Sequence, residues 1–344
     1  MTSFENIHTI RYMGTKANLL DFIIPEIQKV TPKDGTVCDL MAGTNSVGYS
    51  LKPFFKIITN DVQEYSRTIA RALILNQEYT INSFSAIEQL EHDYRKNLSE
   101  RHFNFFEECY SDTYFSKEQC IAIDSVRYAV SRLRNPILQD LYLSALMSTM
   151  CLAQSTPGHF AQYMPKEHPR VQPLRAIDIW NDFVTRCNDY NSISVSKFKN
   201  ECYCMDFHEL FANGAIDNIN TLYVDSPYTQ EQYSRFYHVL ETLVKYDSPE
   251  VKHKAKYRTD RFMSKFCYKK SVSDEFESIL RFASPKNINI VISYSNKGVM
   301  PIEELEKLCS KYYPKVKSKF KDYKHSTQGK GSMGRLEYLL VLQK

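Results

Sequence analysis

The chain has 344 residues, 43% of them hydrophobic, and a formal net charge of +4, enough for one large α/β domain or two modest ones with a substantial core. No apolar run approaches the ~20 residues of a membrane-spanning helix, and the opening Met1-Thr2-Ser3-Phe4-Glu5 lacks the basic-then-apolar pattern of a secretory leader. Nine scattered cysteines, with only Cys202 and Cys204 close together, fit neither a zinc knuckle nor a redox Cys-x-x-Cys and read as buried thiols of a reducing, cytoplasmic setting.

In chain order, Arg11-Tyr12-Met13-Gly14-Thr15-Lys16 precedes a helical pattern carried by Leu19, Leu20, Ile23 and Ile27. Thr36 to Met41 is a short β-like run, followed by the small-residue turn Ala42-Gly43-Thr44-Asn45-Ser46-Val47-Gly48 and an amphipathic segment to Phe55. Strand, turn and helix in that order form the first unit of a nucleotide-binding α/β fold. The turn is not a P-loop, because Tyr49 rather than Lys follows Gly48. Nor is it a dinucleotide loop, which needs glycine at three set positions, whereas only Gly43 and Gly48 are present. Asn45 stands where a further glycine is expected, and asparagine tolerates positive φ. A second strand, Lys56 to Asp61, ends in an acid about 20 residues past the loop, where a carboxylate can take two ribose hydroxyls. Capping the helix predicted over Glu64 to Asn76 is the other role open to Asp61.

Between Thr80 and Asn200 this rhythm lapses. Apolar spacing predicts helix from Cys120 to Gln154, split in two by Pro136. The loop Ser155 to Tyr163 is dense in turn-formers and rings, including His159 and Tyr163. After Cys204-Met205-Asp206-Phe207, the run Thr221-Leu222-Tyr223-Val224 breaks into Asp225-Ser226-Pro227-Tyr228. A buried strand stopped by proline presents that acid and ring at its C-terminal edge, where open α/β sheets bind ligands. A carboxylate, a stiff backbone carbonyl and a flat ring together suit an exocyclic amine on a heterocycle. Asn287 to Tyr294 reads as another strand, a helix follows near Glu303 to Tyr313, and a lysine-rich strand and Arg335 to Val341 close the sheet with an antiparallel partner. The stretch Ser326 to Gly334, with three glycines, reads as a loop able to lie over phosphates. Two basic segments, Lys311 to Arg335 and Lys252 to Lys270, mix lysine and arginine with tyrosine and phenylalanine, a composition suited to phosphate contact and stacking.

Asp225-Ser226-Pro227-Tyr228 resembles the Asp-Pro-Pro-Tyr motif of amino-methyltransferases acting on DNA bases. Tyr12 to Lys16 is similar to the aromatic-x-Gly-x-Lys motif of the Dam-type DNA adenine methyltransferases, and Asp206-Phe207 to that family's Asp-Phe pair. With the small-residue turn at Gly43 and the ribose acid Asp61, these make five signals in the family's order, across residues 8–80 and 200–344. Two residues depart from it: Ser226 replaces a proline and Asn45 a glycine. The contribution of that proline is mainly its carbonyl, which serine also supplies with less rigidity.

The resemblance implies an α/β, Rossmann-like methyltransferase with a mixed, mostly parallel sheet. Its catalytic domain is expected over 1–80 and 200–344, with an inserted, mainly helical target-recognition domain over 81–199 offering Arg132, Arg134, Lys166, Arg170 and Arg175 to bases or phosphates. It further implies S-adenosylmethionine held by Tyr12, Gly14, Lys16, Asp39, Ala42, Gly43, Thr44, Ser46, Asp61, Asp206 and Phe207, with catalysis by Asp225, Ser226, Pro227 and Tyr228 and no metal. Substrate contacts fall to Tyr233, His159 and Tyr163, with Phe236 and Tyr237 also able to receive a flipped base. The expected substrate is adenine N6 in double-stranded DNA, in a restriction-modification or defence setting with a cognate endonuclease. Cytosine N4, RNA, and a catalytically weak nucleic-acid-binding subunit are the alternatives the motifs leave open.

Overall fold

The computed structural model describes residues 10, 12–77, 84–322 and 336–344. They fold as two compact units: a sheet unit of residues 16–62, 196–233 and 262–344, and a helical unit of residues 1–15, 63–195 and 234–261, each in its described parts. The segment expected as an insertion falls in the helical unit up to Val195, and that unit also takes in 63–77 and 234–261.

Among the described residues, nine strands occur in chain order: β1 (Thr36–Asp39), β2 (Lys56–Asn60), β3 (Glu201–Tyr203), β4 (Thr221–Val224), β5 (Val251–Lys252), β6 (Tyr257–Arg258), β7 (Asn289–Ser295), β8 (Lys315–Asp322) and β9 (Leu336–Gln343). Seven of them form the sheet, in the order β3-β2-β1-β4-β7-β9-β8. The first five run parallel to one another, and β9 runs antiparallel to both β7 and β8. This is the Rossmann-like, mostly parallel mixed sheet expected from the sequence. All four residues of β4 are buried, as a central parallel strand covered on both faces requires. Cys38, Ile58, Leu222, Val224, Ile290, Ile292 and Leu340 share one core with Phe276, Ile279 and Leu280 of the helix Val272–Ala283. Each large aliphatic or aromatic side chain fully buried there contributes roughly 1.5–3 kcal/mol.

The edge strand β8 carries part of the first basic segment. Lys319 pairs with Glu26 at 2.8 Å and Lys321 with Asp21 at 2.6 Å, so these two cations meet the helix Leu20–Val30. Lys324, Lys330, Arg335 and the loop Ser326 to Gly334 lie outside the described residues.

In the helical unit, the long apolar stretch forms Lys117–Ser131 and Pro136–Ala153. Ser116 and Gln119 make a capping box at the first helix. At the second, the Asn135 side chain accepts from the Ile137 and Leu138 N–H groups and Pro136 occupies the first turn, where its missing N–H costs nothing. Glu64–Ala70 is α-helical and passes into a π-helical turn, Arg71–Leu75. At its start the Glu241 carboxylate accepts from the N–H groups of Glu64 and Tyr65 at 3.2 Å each. The β5–β6 hairpin corrects the second basic segment. Arg258 is 2% exposed, bidentate to Asp247 at 2.6 and 2.7 Å, and also bonded to Asp260. It holds the hairpin together and is not available to a phosphate.

All nine cysteines are free thiols, six of them buried. Among the described residues, no helix is long and apolar enough to cross a membrane.

Candidate active site

In the strand order, β1 has β2 on one side and β4 on the other. Their connections leave in opposite directions, and the C-terminal edge at such a switch point is where open α/β sheets bind ligands. The backbone there is closely tied. Leu40 N–H donates to the Tyr223 carbonyl at 3.0 Å and Ala42 N–H to the Asn60 carbonyl at 2.9 Å. Gly43 and Asn45 both have positive φ, 51° and 62°, a conformation glycine adopts freely and asparagine tolerates. The turn aims the Gly43 N–H at Asp61, whose Oδ2 accepts it at 2.9 Å. Asn60, which sequence reading passed over for its acidic neighbour, braces the edge. Its Nδ2 donates to the carbonyls of Leu40 (3.3 Å) and Met205 (3.0 Å), and its Oδ1 accepts from the Met205 N–H at 3.3 Å.

Three carboxyl groups of differing character stand at this edge. Asp61 is half-buried. Asp39 is 2% exposed, and among the described residues its Oδ1 has no hydrogen-bond partner. Burial, reinforced by the charges of Asp225 and Asp61, pushes its pKa up to about 8. Asp225, just past β4, is 18% exposed, and its Oδ1 lies 2.7 Å from Lys16 Nζ. Burial raises the Asp225 carboxyl to about 6 against the pull of Lys16, and Glu337 adds to the rise.

Lys16 was expected at the cofactor; the structure pairs it with the predicted catalytic acid. Its side chain is 4% exposed and its Nζ also lies 3.4 Å from Oε1 of Glu337. Burial works against the ammonium, yet Asp225 and Glu337 together raise its pKa well above the ordinary lysine value. Glu337, on β9, is 1% exposed, and its Oε1 accepts from the Ser293 hydroxyl at 2.6 Å. Sequence reading placed it on the last strand and assigned it no role. A lone acid among Leu336, Tyr338, Leu339 and Leu340 was the available signal, because an unpaired charge is costly in a sheet core.

The other motif residues have the following surroundings. Tyr228 is 3% exposed, with its ring edge-on to Tyr294 at 6.2 Å and Lys16 Nζ 5.4 Å from its centroid. Its carbonyl accepts from the Val299 N–H at 2.9 Å. Ser226 is buried and Pro227 half-buried; Thr44 and Ser46 are buried in the turn. Asp206 caps the helix Phe207–Ala212, its side chain accepting from the His208 N–H at 2.9 Å. Phe207 is 5% exposed and packs in the core beside Phe211 and Phe266. Tyr233 belongs to the sheet unit, whereas Tyr12, Gly14, His159 and Tyr163 belong to the helical unit. There Tyr12 stacks on Tyr237 at 4.6 Å and Met13 N–H donates to the Tyr237 hydroxyl at 2.6 Å. His159 stacks on Phe236 at 4.5 Å, and Tyr163 meets Tyr114 edge-on at 6.0 Å. Phe236 and Tyr237, 4% and 1% exposed, are packing residues.

A second feature of the sheet unit follows the motif. Gln232 and Ser264 bond reciprocally at 3.0 and 2.7 Å, and the Cys267 thiol donates to the Glu231 carbonyl at 3.3 Å. With Phe266 sunk in the core at 2% exposure, these bonds hold a loop whose Phe262, Met263, Lys265, Tyr268, Lys269 and Lys270 are all exposed. Among the described residues none of those three lysines has a carboxylate partner, and no group of three or more His, Cys, Asp or Glu side chains is placed to hold a metal ion.

The model of the D12 class N6 adenine-specific DNA methyltransferases matches residues 12–308. The chain is 29% identical over 318 residues to modification methylase LlaI of Lactococcus lactis subsp. lactis, a match covering 88% of this chain and 49% of that protein. It is 28% identical to the type II methyltransferase M.FokI of Planomicrobium okeanokoites, covering 97% of this chain and 53% of that protein. To the type II methyltransferase M.NlaIII of Neisseria lactamica it is 26% identical, over 97% of this chain and 99% of that protein. The chain thus spans about half the length of the first two relatives and nearly all of the third.

Proposed function

Since the chain belongs to the D12 class N6 adenine-specific DNA methyltransferases, a family whose methyl donor is S-adenosylmethionine, we propose that it methylates adenine N6 in double-stranded DNA, with Asp225 as the residue that engages the amine. The observation that carries this reading is the placement of Asp225, charge-paired by Lys16, at the sheet's C-terminal edge beside Asp39 and Asp61.

The residues present fit the donor. Asp61 suits its ribose hydroxyls, the positive-φ turn at Gly43 leaves room for close backbone approach, and the lone Oδ1 of buried Asp39 suits a cationic donor group. Lys16 and Asp206 border the same edge, and Ala42, Thr44 and Ser46 form the turn. Bound there, S-adenosylmethionine supplies a methyl group on a sulfonium that is already a good leaving group.

The task left to the chain is positioning. The adenine amine is a poor nucleophile because its lone pair is delocalised into the ring. Hydrogen bonds from its NH₂ to Asp225 and to the Ser226 carbonyl pull the nitrogen toward a pyramidal shape and direct its lone pair. Preorganisation of this kind can supply much of an enzyme's rate enhancement. Methylation leaves a proton to be shed, and Asp225, titrating near 6, is matched to receive it at neutral pH. Lys16 keeps that carboxylate charged in its buried setting. A base inside a duplex must flip out to reach such a group, and Tyr228 and Tyr233 are the side chains of the sheet unit offered to it.

The exposed basic and aromatic loop 262–270, latched to the segment after the motif, supports DNA as the substrate. The helical unit is assigned target recognition. The type II relatives support a modification role beside a cognate endonuclease. Asp225→Asn tests the assignment: transfer to DNA is expected to fall at least a thousandfold, of order 4 kcal/mol, with duplex binding kept within about threefold. Substantial surviving transfer would remove Asp225 from the mechanism.

A further inference from the structure

Glu337 is a buried acid that the reaction as described does not use. It is 1% exposed, Ser293 satisfies one of its oxygens, and the other, Oε2, has no hydrogen-bond partner among the described residues. A core strand position carries such a group only if something charged faces it. What faces it is the Lys16 ammonium, 3.4 Å from Oε1 and already 2.7 Å from Asp225. One cation therefore stands between two acids, one on the last strand and one at the proposed reacting edge.

The pairing creates a conflict that the second acid resolves. An Asp225 fully engaged by Lys16 has less accepting capacity for a substrate amine. An Asp225 without Lys16 is a buried carboxyl group that protonates. We propose that Glu337 is a positioning residue, the alternate seat of the Lys16 ammonium, which takes the cation as Asp225 turns to the target amine. This rests on the reading of Asp225 given above. The ammonium closes on Oε1 from 3.4 Å, and the pair of acids keeps its one counter-charge throughout. No covalent bond is made or broken in this shift. The other ionisable groups around the cluster are Tyr223 on β4 and Tyr228, both facing Lys16, and Asp39 on β1, which feels Asp225. The Ser293 hydroxyl on β7 fixes the orientation of the Glu337 carboxylate.

The test is Glu337→Gln, which keeps the shape and the bond from Ser293 but removes the charge. Lys16 then stays on Asp225. Single-turnover methyl transfer is expected to slow at least tenfold, with affinities for S-adenosylmethionine and for duplex DNA within about twofold of wild type. Because Glu337 raises the Asp225 pKa, the acid limb of the rate profile moves to lower pH, and Glu337→Asp restores part of the rate. An unchanged rate, or a slower rate with an unmoved limb, overturns the proposal, the second because a packing defect alone gives that pattern. A parallel readout is the titration of the Asp225 carboxyl by carbon-13 NMR, identified by its loss in Asp225→Asn. It must fall in Glu337→Gln; an unmoved titration refutes the sharing of Lys16. A wild-type chain that methylates no DNA defeats the reading of Asp225 instead, and the titration then decides alone whether the two acids share the cation.

Discussion

Replacing Lys16 by methionine separates a charge role from a packing role, because the stem is kept and only the ammonium is lost. The ammonium sits 2.7 Å from Asp225 in a site where neither side chain is more than 18% exposed. At an effective dielectric of about 20, a unit-charge pair about 4 Å apart between charge centres is worth about 4 kcal/mol. At about 1.4 kcal/mol per pKa unit, that is roughly two to three units once relaxation is allowed. Asp225, near 6 with Lys16 present, should then titrate roughly at 8 to 9. The sign follows directly: a carboxylate deprived of its cation ionises at higher pH, and amine engagement needs the ionised form. At pH 7 the variant should transfer methyl groups roughly ten to a hundred times more slowly. The rate should climb about tenfold per pH unit and recover most of the loss by about pH 9. The assay is single-turnover transfer to duplex DNA from pH 6 to 9.5, with S-adenosylmethionine held well above its separately measured Kd. A loss independent of pH, or no loss, would refute the claim that Lys16 acts through the charge of Asp225.

Two further outcomes follow from the same geometry. Asp39→Asn should stabilise the fold. A carboxyl whose folded pKa is raised to about 8 contributes stability that is fully present below its unfolded pKa near 4 and lost as pH rises through 8. Removing it should gain on the order of 2–4 kcal/mol at pH 8 and little at pH 4; denaturant melts at both pH values check this, and equal effects would contradict it. The triple change Lys265→Ala, Lys269→Ala and Lys270→Ala should weaken DNA binding. If all three meet phosphates, the salt dependence of log K flattens by about 2 to 3 units, and an unchanged slope in a fluorescence-anisotropy titration would take the loop off the DNA.

The strands that position the site were legible because each is a short apolar run stopped by a turn former. β1 ends before Ala42-Gly43, β2 before Asp61 and β4 before Asp225-Ser226-Pro227, so the acids at the sheet edge could be named in advance. The helix break at Pro136 was equally plain, since proline removes a donor that only a first turn can spare. What stayed hidden is pairing at long separation. Nothing local joins Lys16 to Asp225, and Glu337 lies on a strand more than three hundred residues from Lys16. The basic segments were legible only in part for the same reason: a lysine or arginine shows its charge in the sequence but not its partner. Arg258, Lys319 and Lys321 are neutralised by acids within their own units, whereas Lys265, Lys269 and Lys270 are left exposed by the anchoring of Phe266. The helix expected from Glu64 runs on to Leu75, but its last turn is π-helical, which apolar spacing does not distinguish from α.

The most direct test of the central claim is transfer of labelled methyl groups from S-adenosylmethionine to mixed-sequence duplex DNA, followed by nucleoside analysis of the product. Label is expected in N6-methyl-2′-deoxyadenosine, dependent on Asp225. Label in N4-methylcytosine, or no label in DNA despite measurable binding of S-adenosylmethionine, would contradict it.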